Sequence, residues 1–556
     1  MARKKKEKPQ TRIAVIDFET DPFLYDRVPE PFSAGFYDGE TYIDFWGDDC
    51  ADQLICYLES RKDNLIIYAH NGGKFDFYFL LKFGVIQNPA LIINGRIVKC
   101  KFMERHELRD SIAILPLPLS KLGAKLEIDY KKLERKNRDK NKAEILEYQK
   151  ADCVELHKVI MAFHARFGDN LTIGGTAIKE IRKYHPVLKQ DENHDSKFRN
   201  YYFGGRVQCF EKGEIKPASG TLKIIDVNSM YPDVMASCEH PRGAYYINQL
   251  NVPLSEFNHK TGTLKKWPSA FYFIRFIGHN KNALPSRDTK TKKLSFDDEY
   301  GEFYACCHEV KAACELGLIK IEQILEINVA CATFNFKTFV DDYSAQKAEA
   351  KLSGDYVQEI FTKLIMNSGY GKYATDPNKF KEFFILDTDN QEQLIEFAEW
   401  AKENHAELIN DMGQYEIWQC AAENDGQGYF DVAVGASITS AARAKLLRAI
   451  HTVKRPVYCD TDSLVCENTA NLILDNVKLG AWKLEGETHL IYVAGKKMYA
   501  CIDLKGKEKK ASKGAKLSYD EIKSVALGES VFWRSDAPAF KLSGKVNFVS
   551  RQIKMT

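Results

Sequence analysis

Residues Arg455 to Cys466 read RPVYCDTDSLVC. Two apolar, β-rich runs, Val457-Tyr458-Cys459 and Leu464-Val465-Cys466, flank Asp460-Thr461-Asp462-Ser463, the pattern of two strands joined by a tight turn. The turn carries two carboxylates. Like charges held close repel unless a cation neutralises them, so a buried turn of this kind suits a divalent metal. A lone Asp-Thr-Asp is more often an ordinary Asp-rich surface turn. Three other blocks argue against that here: DVNSMYP at Asp226 to Pro232, KLIMNSGYG at Lys363 to Gly371 and KKMY at Lys496 to Tyr499.

Working outward, Asp226 closes a strand at Thr221 to Ile225, Pro232 stops the strand geometry, and the residues from Val234 onward read as helix. Phe336 to Tyr373 is strongly helical, and Lys363, Asn367 and Tyr370 fall at i, i+4 and i+7 on one face. That face offers a cation, an amide and an aromatic ring, while Gly369 and Gly371 weaken the helix end. Residues 240–335 carry no chemical motif. Asp376 to Gly428 forms a long insertion whose centre, NQEQLIEFAEWAKENHAELI, reads as an acidic amphipathic helix. Phe430 to His451 is an apolar-rich helix, and LGAWKLE and LIYVAGKKMYACI read as strands.

At the other end of the chain, RIAVIDFETD is a strand on which Asp17 and Glu19, two apart, point to one face. NLIIYAHNGGKFDFYFLL is a buried strand, a Gly-rich turn and an apolar helix, with Asn71 and Asp76 at the junction. In AEILEYQKADCVELHKVIMAF, Tyr148 and Asp152 share a helix face. Each fragment alone is weak, since acids are common at strand ends and on helix surfaces. KKLERKNRDKNK at Lys131 to Lys142 reads as a solvated loop and the RKKKEK start as a disordered tail. The polar stretches Gln190 to Lys197 and Lys212 to Gly220 bracket YYFGGR and mark the boundary between two halves.

The chain's 556 residues allow three or four domains or subdomains, and 44% hydrophobic with 28% charged residues is the composition of a soluble globular protein. There is no run of eighteen apolar residues and no signal peptide, which points to the cytoplasm. Fourteen cysteines include no CxxC pair, so Cys306-Cys307-His308 reads as buried reduced thiols and not as zinc ligands. A net charge of +2 does not by itself call for nucleic acid; any such groove must be a local patch.

Taken in order, the four C-terminal blocks resemble the polymerase motifs of family B DNA polymerases. With YFGG at Tyr202 to Gly205, their spacing is similar to the protein-primed branch, nearest to the tectivirus type found in tailless, membrane-containing phages with linear genomes. The N-terminal blocks resemble the three exonuclease motifs of proofreading polymerases. The likeness runs from about Ile13 to the C-terminal end. It implies a multidomain α/β and α+β protein: a ribonuclease H-like 3′-5′ exonuclease domain over 1–190, followed by a right-hand polymerase. The latter comprises a linker and first palm segment (191–239), a first priming insertion (240–335), fingers (336–375), a second insertion (376–428), palm (429–510) and thumb (511–556).

The same resemblance implies roles for the residues. Asp17, Glu19, Asp76 and Asp152 would hold two metal ions, with Tyr148 orienting the attacking water and Lys125 the catalytic lysine, although Lys121 offers an alternative. His70, Asn71, Phe75, Ser111 and Leu122 fall near positions that bind single-stranded DNA; Phe75 suits either stacking on a frayed end or simple packing. Asp226, Asp462 and the carbonyl of Val227 would hold the polymerase metals, Mg2+ with Mn2+ as substitute, and Asp460 would contribute indirectly. Tyr231 would lie under the sugar and exclude a 2′-hydroxyl. Lys351 and Lys363 would neutralise the triphosphate, with Asn367 beside them and Tyr370 on the nascent base pair. Tyr202, Gly204 and Gly205 would steer the primer between the sites, and Lys497 and Tyr499 would hold its terminus. The implied partners of this monomer are primer-template DNA, deoxynucleoside triphosphates and a terminal protein. A polymerase primed by nucleic acid and a non-catalytic DNA-binding relic remain as alternatives.

Overall fold

The computed structural model describes residues 11–22, 29–81, 86–123, 126–185, 192–288, 290–291, 293–376, 381–411, 415–421, 430–469, 471–536, 539–540 and 546–555. Lys125 and Lys292 lie outside them.

Near-continuous burial along Thr11–Thr20, with Ala14 to Ile16 and Phe18 to Thr20 all buried, marks it as an inner strand covered on both faces in a mixed ten-stranded sheet. It pairs in parallel with Asn64–Ala69 and antiparallel with Pro31–Tyr37, and Asn64–Ala69 continues in parallel to His106–Asp110. One side of this part of the sheet is covered by Cys50–Ser60 and Asp76–Leu81, whose Leu54, Leu58, Phe77 and Leu80 join Ile16, Phe36 and Ile67 in one core. On the other side lies the 26-residue helix Lys142–Phe167, ended by Gly168 in a left-handed conformation.

The segment after residue 380 extends this same sheet. Lys381–Asp387 pairs with Ile86–Ile93 at Phe383 and Ala90, and Tyr415–Ala421 and Glu407–Asp411 add two more strands. The acidic helix is real but shorter than its pattern suggests, Gln391–Glu403. His405, at φ +52, turns the chain, and the apolar residues beyond it belong to a strand. Phe397 and Trp400 pack their rings on Phe384, which explains the amphipathic pattern.

The second centre is a five-stranded antiparallel sheet in the order Trp482–Thr488, Leu222–Val227, Ser463–Asn468, Lys454–Asp460, Val207–Cys209. Its two faces sort by alternation. Ile225, Cys459 and Leu464 face the buried helix Val432–Thr452 and the short helix Met230–Ser237, whereas Ile224, Tyr458 and Val465 face Ile491 and Val493 of a neighbouring four-stranded sheet. Residues 240–335 build an antiparallel sheet of their own, Tyr246–Leu250, Ile319–Ala330, Tyr272–Asn280 and Tyr300–Cys306, backed by the helix Cys307–Glu315. Cys306 and Cys307 are buried free thiols.

Three stretches hold more structure than their polarity or glycine content suggests. The stretch Lys131 to Lys142 faces solvent over most of its length but is ordered as two short 3-10 turns, Tyr130–Leu133 and Arg138–Asn141. Leu133 is buried there, and Arg138 lies over Phe32 while binding Asp48. Part of the polar boundary is the helix Glu192–Arg199, because His194 and Phe198 supply a buried face that a mean polarity conceals. The helix Tyr356–Tyr373 runs through both glycines of NSGYG to the expected end at Tyr373. A Cβ on Gly369 would overlap Ile181 of the helix Ile173–Tyr184, so glycine there serves close helix packing.

Candidate active sites

In the N-terminal sheet, Asp17 and Glu19 emerge from one strand and meet Asp76, the first residue of its helix, whose Oδ1 accepts the Phe18 N–H at 3.1 Å. Asp152 approaches from the long helix, hydrogen-bonded to Tyr148 one turn earlier. Burial raises all four carboxyls, and at Asp17 and Glu19 the charges of the neighbouring acids add to it. Asp17 goes well above the carboxylate range, through burial and then the charges of Glu19, Asp76 and Asp152; Glu19 rises to about 8, through burial and then Asp152 and Asp76. Burial lifts Asp76 to about 7 against the Phe18 N–H, and Asp152 to about 6 against the Tyr148 hydroxyl. Such a set of oxygen donors is stable when ionised only beside cations, and hard divalent ions take oxygen ligands.

Two residues missed in the sequence hold this arrangement. Gln149 is wholly buried; its amide donates to the Asp17 carbonyl at 2.9 Å and accepts from the Ser33 hydroxyl at 2.8 Å, locking helix to strand. Asp110 accepts the N–H of Gly73 at 3.1 Å and of Ile112 at 2.9 Å and pairs with Arg96, cinching the Gly-rich turn. Gly73 is required: a Cβ would run into the Ile97 carbonyl. A buried glutamine beside the YxxxD spacing was the available signal for Gln149; Asp110 had none.

Around this site His70 Nδ1 and Ser111 Oγ lie 2.9 Å apart, and Asn71 turns the chain at φ +68. Phe75 packs edge-on to Phe79 at 5.1 Å while remaining partly exposed. Leu122 is fully buried in an apolar core.

In the five-stranded sheet, Asp226 sits opposite Ser463, and the Val227 N–H donates to the Asp462 carbonyl at 2.9 Å. Burial, Asp462 and Glu485 push Asp226 up to about 7; burial, Asp460 and Glu485 raise Asp462 against the pull of Lys497. Asp460 points to a different partner, Lys497 Nζ at 2.8 Å, while the Lys497 N–H donates to the Tyr458 hydroxyl at 3.0 Å. Tyr499 leans on Tyr458 at 5.2 Å. Glu485 was not singled out in the sequence. It enters because the register shifts between Ile224 and Ile225, a bulge that no local pattern announces.

Tyr231 and Tyr370 stack face to face, centroids 3.8 Å apart and planes 9° from parallel. Lys363 and Asn367 are exposed on the same helix as Tyr370, and Lys351 is exposed on the preceding helix, Lys337–Ser353. Between them Lys347, also missed, is lowered by burial and by the charge of Lys363. Three lysines thus converge on a surface suited to polyphosphate.

The YFGG stretch runs beside the Asp460-to-Asp462 turn. Arg443 donates to the Phe203 carbonyl and, at 2.8 Å, to that of Gly204, and it forms a buried two-bond pair with Glu309, both at 2.7 Å. Arg287 donates to the Tyr202 carbonyl and lies over the Phe203 ring at 5.1 Å. Gly205 is needed because a Cβ would come within 2.7 Å of the Thr461 hydroxyl; nothing crowds Gly204.

The profile of DNA polymerase type B, organellar and viral, matches residues 124–470. The chain belongs to the type B DNA polymerases. It is 41% identical to the DNA-directed DNA polymerase of Enterobacteria phage PRD1 over the full length of both chains. It is 25% identical to the DNA polymerase of Bacillus phage phi29 over 74% of this chain and 70% of that one. The fold matches phi29 DNA polymerase complexed with primer-template DNA, with a TM-score of 0.72 at 19% identity, covering 98% of this chain and all of that one. In this type B polymerase no helix among the described residues is long and apolar enough to cross a membrane.

Proposed function

We propose that this DNA-directed DNA polymerase copies a linear genome from a protein primer and proofreads with a separate 3′-5′ exonuclease site. The observation that carries the two-site reading is the pair of carboxylate clusters on two different sheets, with Asp17 in one and Asp226 in the other raised by burial and then by the charge of neighbouring acids. Polymerases of this family use divalent metal ions. Asp17, Glu19, Asp76 and Asp152 would hold them in one site, and Asp226, Asp462 and the Val227 carbonyl in the other. Two Mg2+ ions bound in a site would stabilise charge on attacking and leaving oxygens.

The chain's own groups do the rest by positioning and electrostatics. Lys347, Lys351 and Lys363 meet the triphosphate. Tyr231, braced by Tyr370, leaves no room for a 2′-hydroxyl. Lys497, held by Asp460 and Tyr458, faces the primer terminus beside Tyr499. In the exonuclease site Tyr148, fixed by Asp152, orients water. His70, Asn71, Ser111 and Phe75 line the approach of a single strand. Lys125 is proposed as the exonuclease lysine on resemblance alone.

We assign 1–190 to the exonuclease domain, 191–239 and 429–510 to the palm, 336–375 to the fingers and 511–556 to the thumb, with 240–335 and 376–428 as insertions. Priming by protein is supported by residues 240–335, which fold as a separate sheet whose edge strand exposes Ile247 and Leu250 while Arg287 of the same segment grips the YFGG stretch. The work is placed in the cytoplasm of a bacterial host, where free thiols stay reduced.

Asp462→Asn should abolish primer extension and leave degradation of single-stranded DNA, and Asp17→Ala should do the reverse. Loss of both activities from either change in folded protein would sink the two-site reading. For priming, Lys290→Glu with Lys293→Glu should weaken labelled deoxynucleotide transfer to the partner protein while sparing extension of a DNA primer. Equal loss of both reactions, or no labelling by wild type, favours priming by nucleic acid.

A further inference from the structure

Arg206, which follows the YFGG stretch, is only 2% exposed, yet no carboxylate among the described residues pairs with it. Its Nη2 donates to the Asn282 carbonyl at 2.8 Å and to Gln208 Oε1 at 2.5 Å, its Nε donates to the same Gln208 oxygen at 3.0 Å, and its plane lies 4.6 Å over the Phe296 ring. Nη1 makes no hydrogen bond among the described residues. Asn282 and Phe296 belong to the 240–335 segment. Gln208 sits on the strand that pairs with the catalytic hairpin, opposite Cys459.

The other end of the residue reaches the chemistry. The Arg206 carbonyl accepts the Thr461 N–H at 2.7 Å. Thr461, between Asp460 and Asp462, is at φ +59, a left-handed conformation that a β-branched residue keeps only when its surroundings impose it. The bond from Arg206 and the bare Cα of Gly205 against the Thr461 side chain are what impose it.

A buried cation without a carboxylate is expensive, and an apolar side chain of similar volume would fill the site at lower cost. Burial accordingly lowers the guanidinium's hold on its proton. Stability is therefore a poor explanation for the arginine, and what it grips is a better one. We propose that Arg206 is a positioning residue of the polymerase site: it clasps Asn282 and Phe296 with its side chain, fixes Thr461 with its carbonyl, and so makes the pose of the Asp460-to-Asp462 turn depend on how the 240–335 segment sits. The inference rests on reading that turn as the polymerase site. A molecule that docks on the segment and shifts Asn282 or Phe296 thereby reaches the catalytic turn without touching it.

The test uses the full chain and four variants: Arg206→Met, Arg206→Lys, Phe296→Leu and the double change R206M with F296L. Single-turnover primer extension over a range of deoxynucleotide concentrations is read beside degradation of single-stranded DNA and thermal melting on the same preparations. R206M should lower the maximal extension rate about tenfold, with the nucleotide concentration for half-maximal rate within about twofold of wild type and the exonuclease unchanged. R206K should recover part of the rate, because an ammonium still reaches the Asn282 carbonyl. F296L should give a smaller loss that vanishes in the R206M background, since both remove one connection.

A wild-type rate in R206M overturns the proposal. So does a rise in the half-saturating concentration at full maximal rate, an equal exonuclease loss, or an additive F296L effect. Should R206M not fold, F296L alone decides: a rate loss with intact half-saturation and exonuclease supports the connection, and wild-type behaviour refutes it. A wild-type protein that extends no primer would instead overturn the reading of the site itself.

Discussion

Glu19→Gln should make the metal-free protein more stable at alkaline pH while destroying the exonuclease. Glu19 is buried with Asp17, Asp76 and Asp152 around it, and its carboxyl rises from the ordinary 4.5 to about 8. The folded state therefore holds a proton that the unfolded chain releases between these two values. Stability in chelator is full below about pH 4.5 and falls as pH rises toward 8. The shift corresponds to about 5 kcal/mol at full ionisation. A buried amide that finds imperfect partners gives back about 1–3 kcal/mol at any pH, so a net gain of about 2–4 kcal/mol is expected near pH 9, and no gain or a loss of up to about 2 kcal/mol near pH 5. For a domain of this size the gain at the higher pH corresponds to a rise in Tm of about 5–15 °C. Thermal melting in EDTA at the two pH values measures it, and excess Mg2+ should shrink the difference by stabilising wild type. The reasoning is refuted if Glu19→Gln is no more stable than wild type at the higher pH, or if it gains equally at both.

Replacing Tyr231 with Val opens the space that its ring and Tyr370 close, so preference for deoxyribonucleotides over ribonucleotides should fall at least tenfold, about 1.4 kcal/mol in the difference of barriers. Competitive incorporation assays read the ratio, and an unchanged ratio places the gate elsewhere. Glu309→Ala leaves Arg443 buried without its counter-charge and should cost about 3–5 kcal/mol, seen in chemical denaturation of the polymerase half; a loss under about 1 kcal/mol would mean that the Phe203 and Gly204 carbonyls suffice. Gly73→Ala drives a Cβ into the Ile97 carbonyl. It should depress the exonuclease severely while primer extension stays near wild type, and equal damage to both activities would count against separate sites.

The carboxylates were legible because their chemistry is written locally. Asp17 and Glu19 alternate on a strand, Tyr148 and Asp152 are one helical turn apart, and Asp460 and Asp462 share a turn. Each pattern needs only the period of its own element. The same holds for the major strands and for the face bearing Lys363, Asn367 and Tyr370. What the chain did not disclose depends on partners distant in sequence. Glu485 joins Asp226 and Asp462 through a register shift, Lys347 joins Lys351 and Lys363 through the packing of two helices, and Asp110 braces a turn from another strand.

The burial of Leu122, and of Leu133 and Arg138 within the polar run 131–142, was not legible for one reason: burial is a property of what covers a residue, and neither composition nor period contains that. The sequence by itself determined which residues carry charge, ring and thiol chemistry, and which short segments hold them as strand, turn or helix. Tertiary structure alone decided that the strands after residue 380 extend the N-terminal sheet, and that Arg206 spans from the 240–335 segment to the Asp460-to-Asp462 turn. Backbone hydrogen bonds and packing between remote segments have no local signature. They exist only once the whole chain has closed on itself.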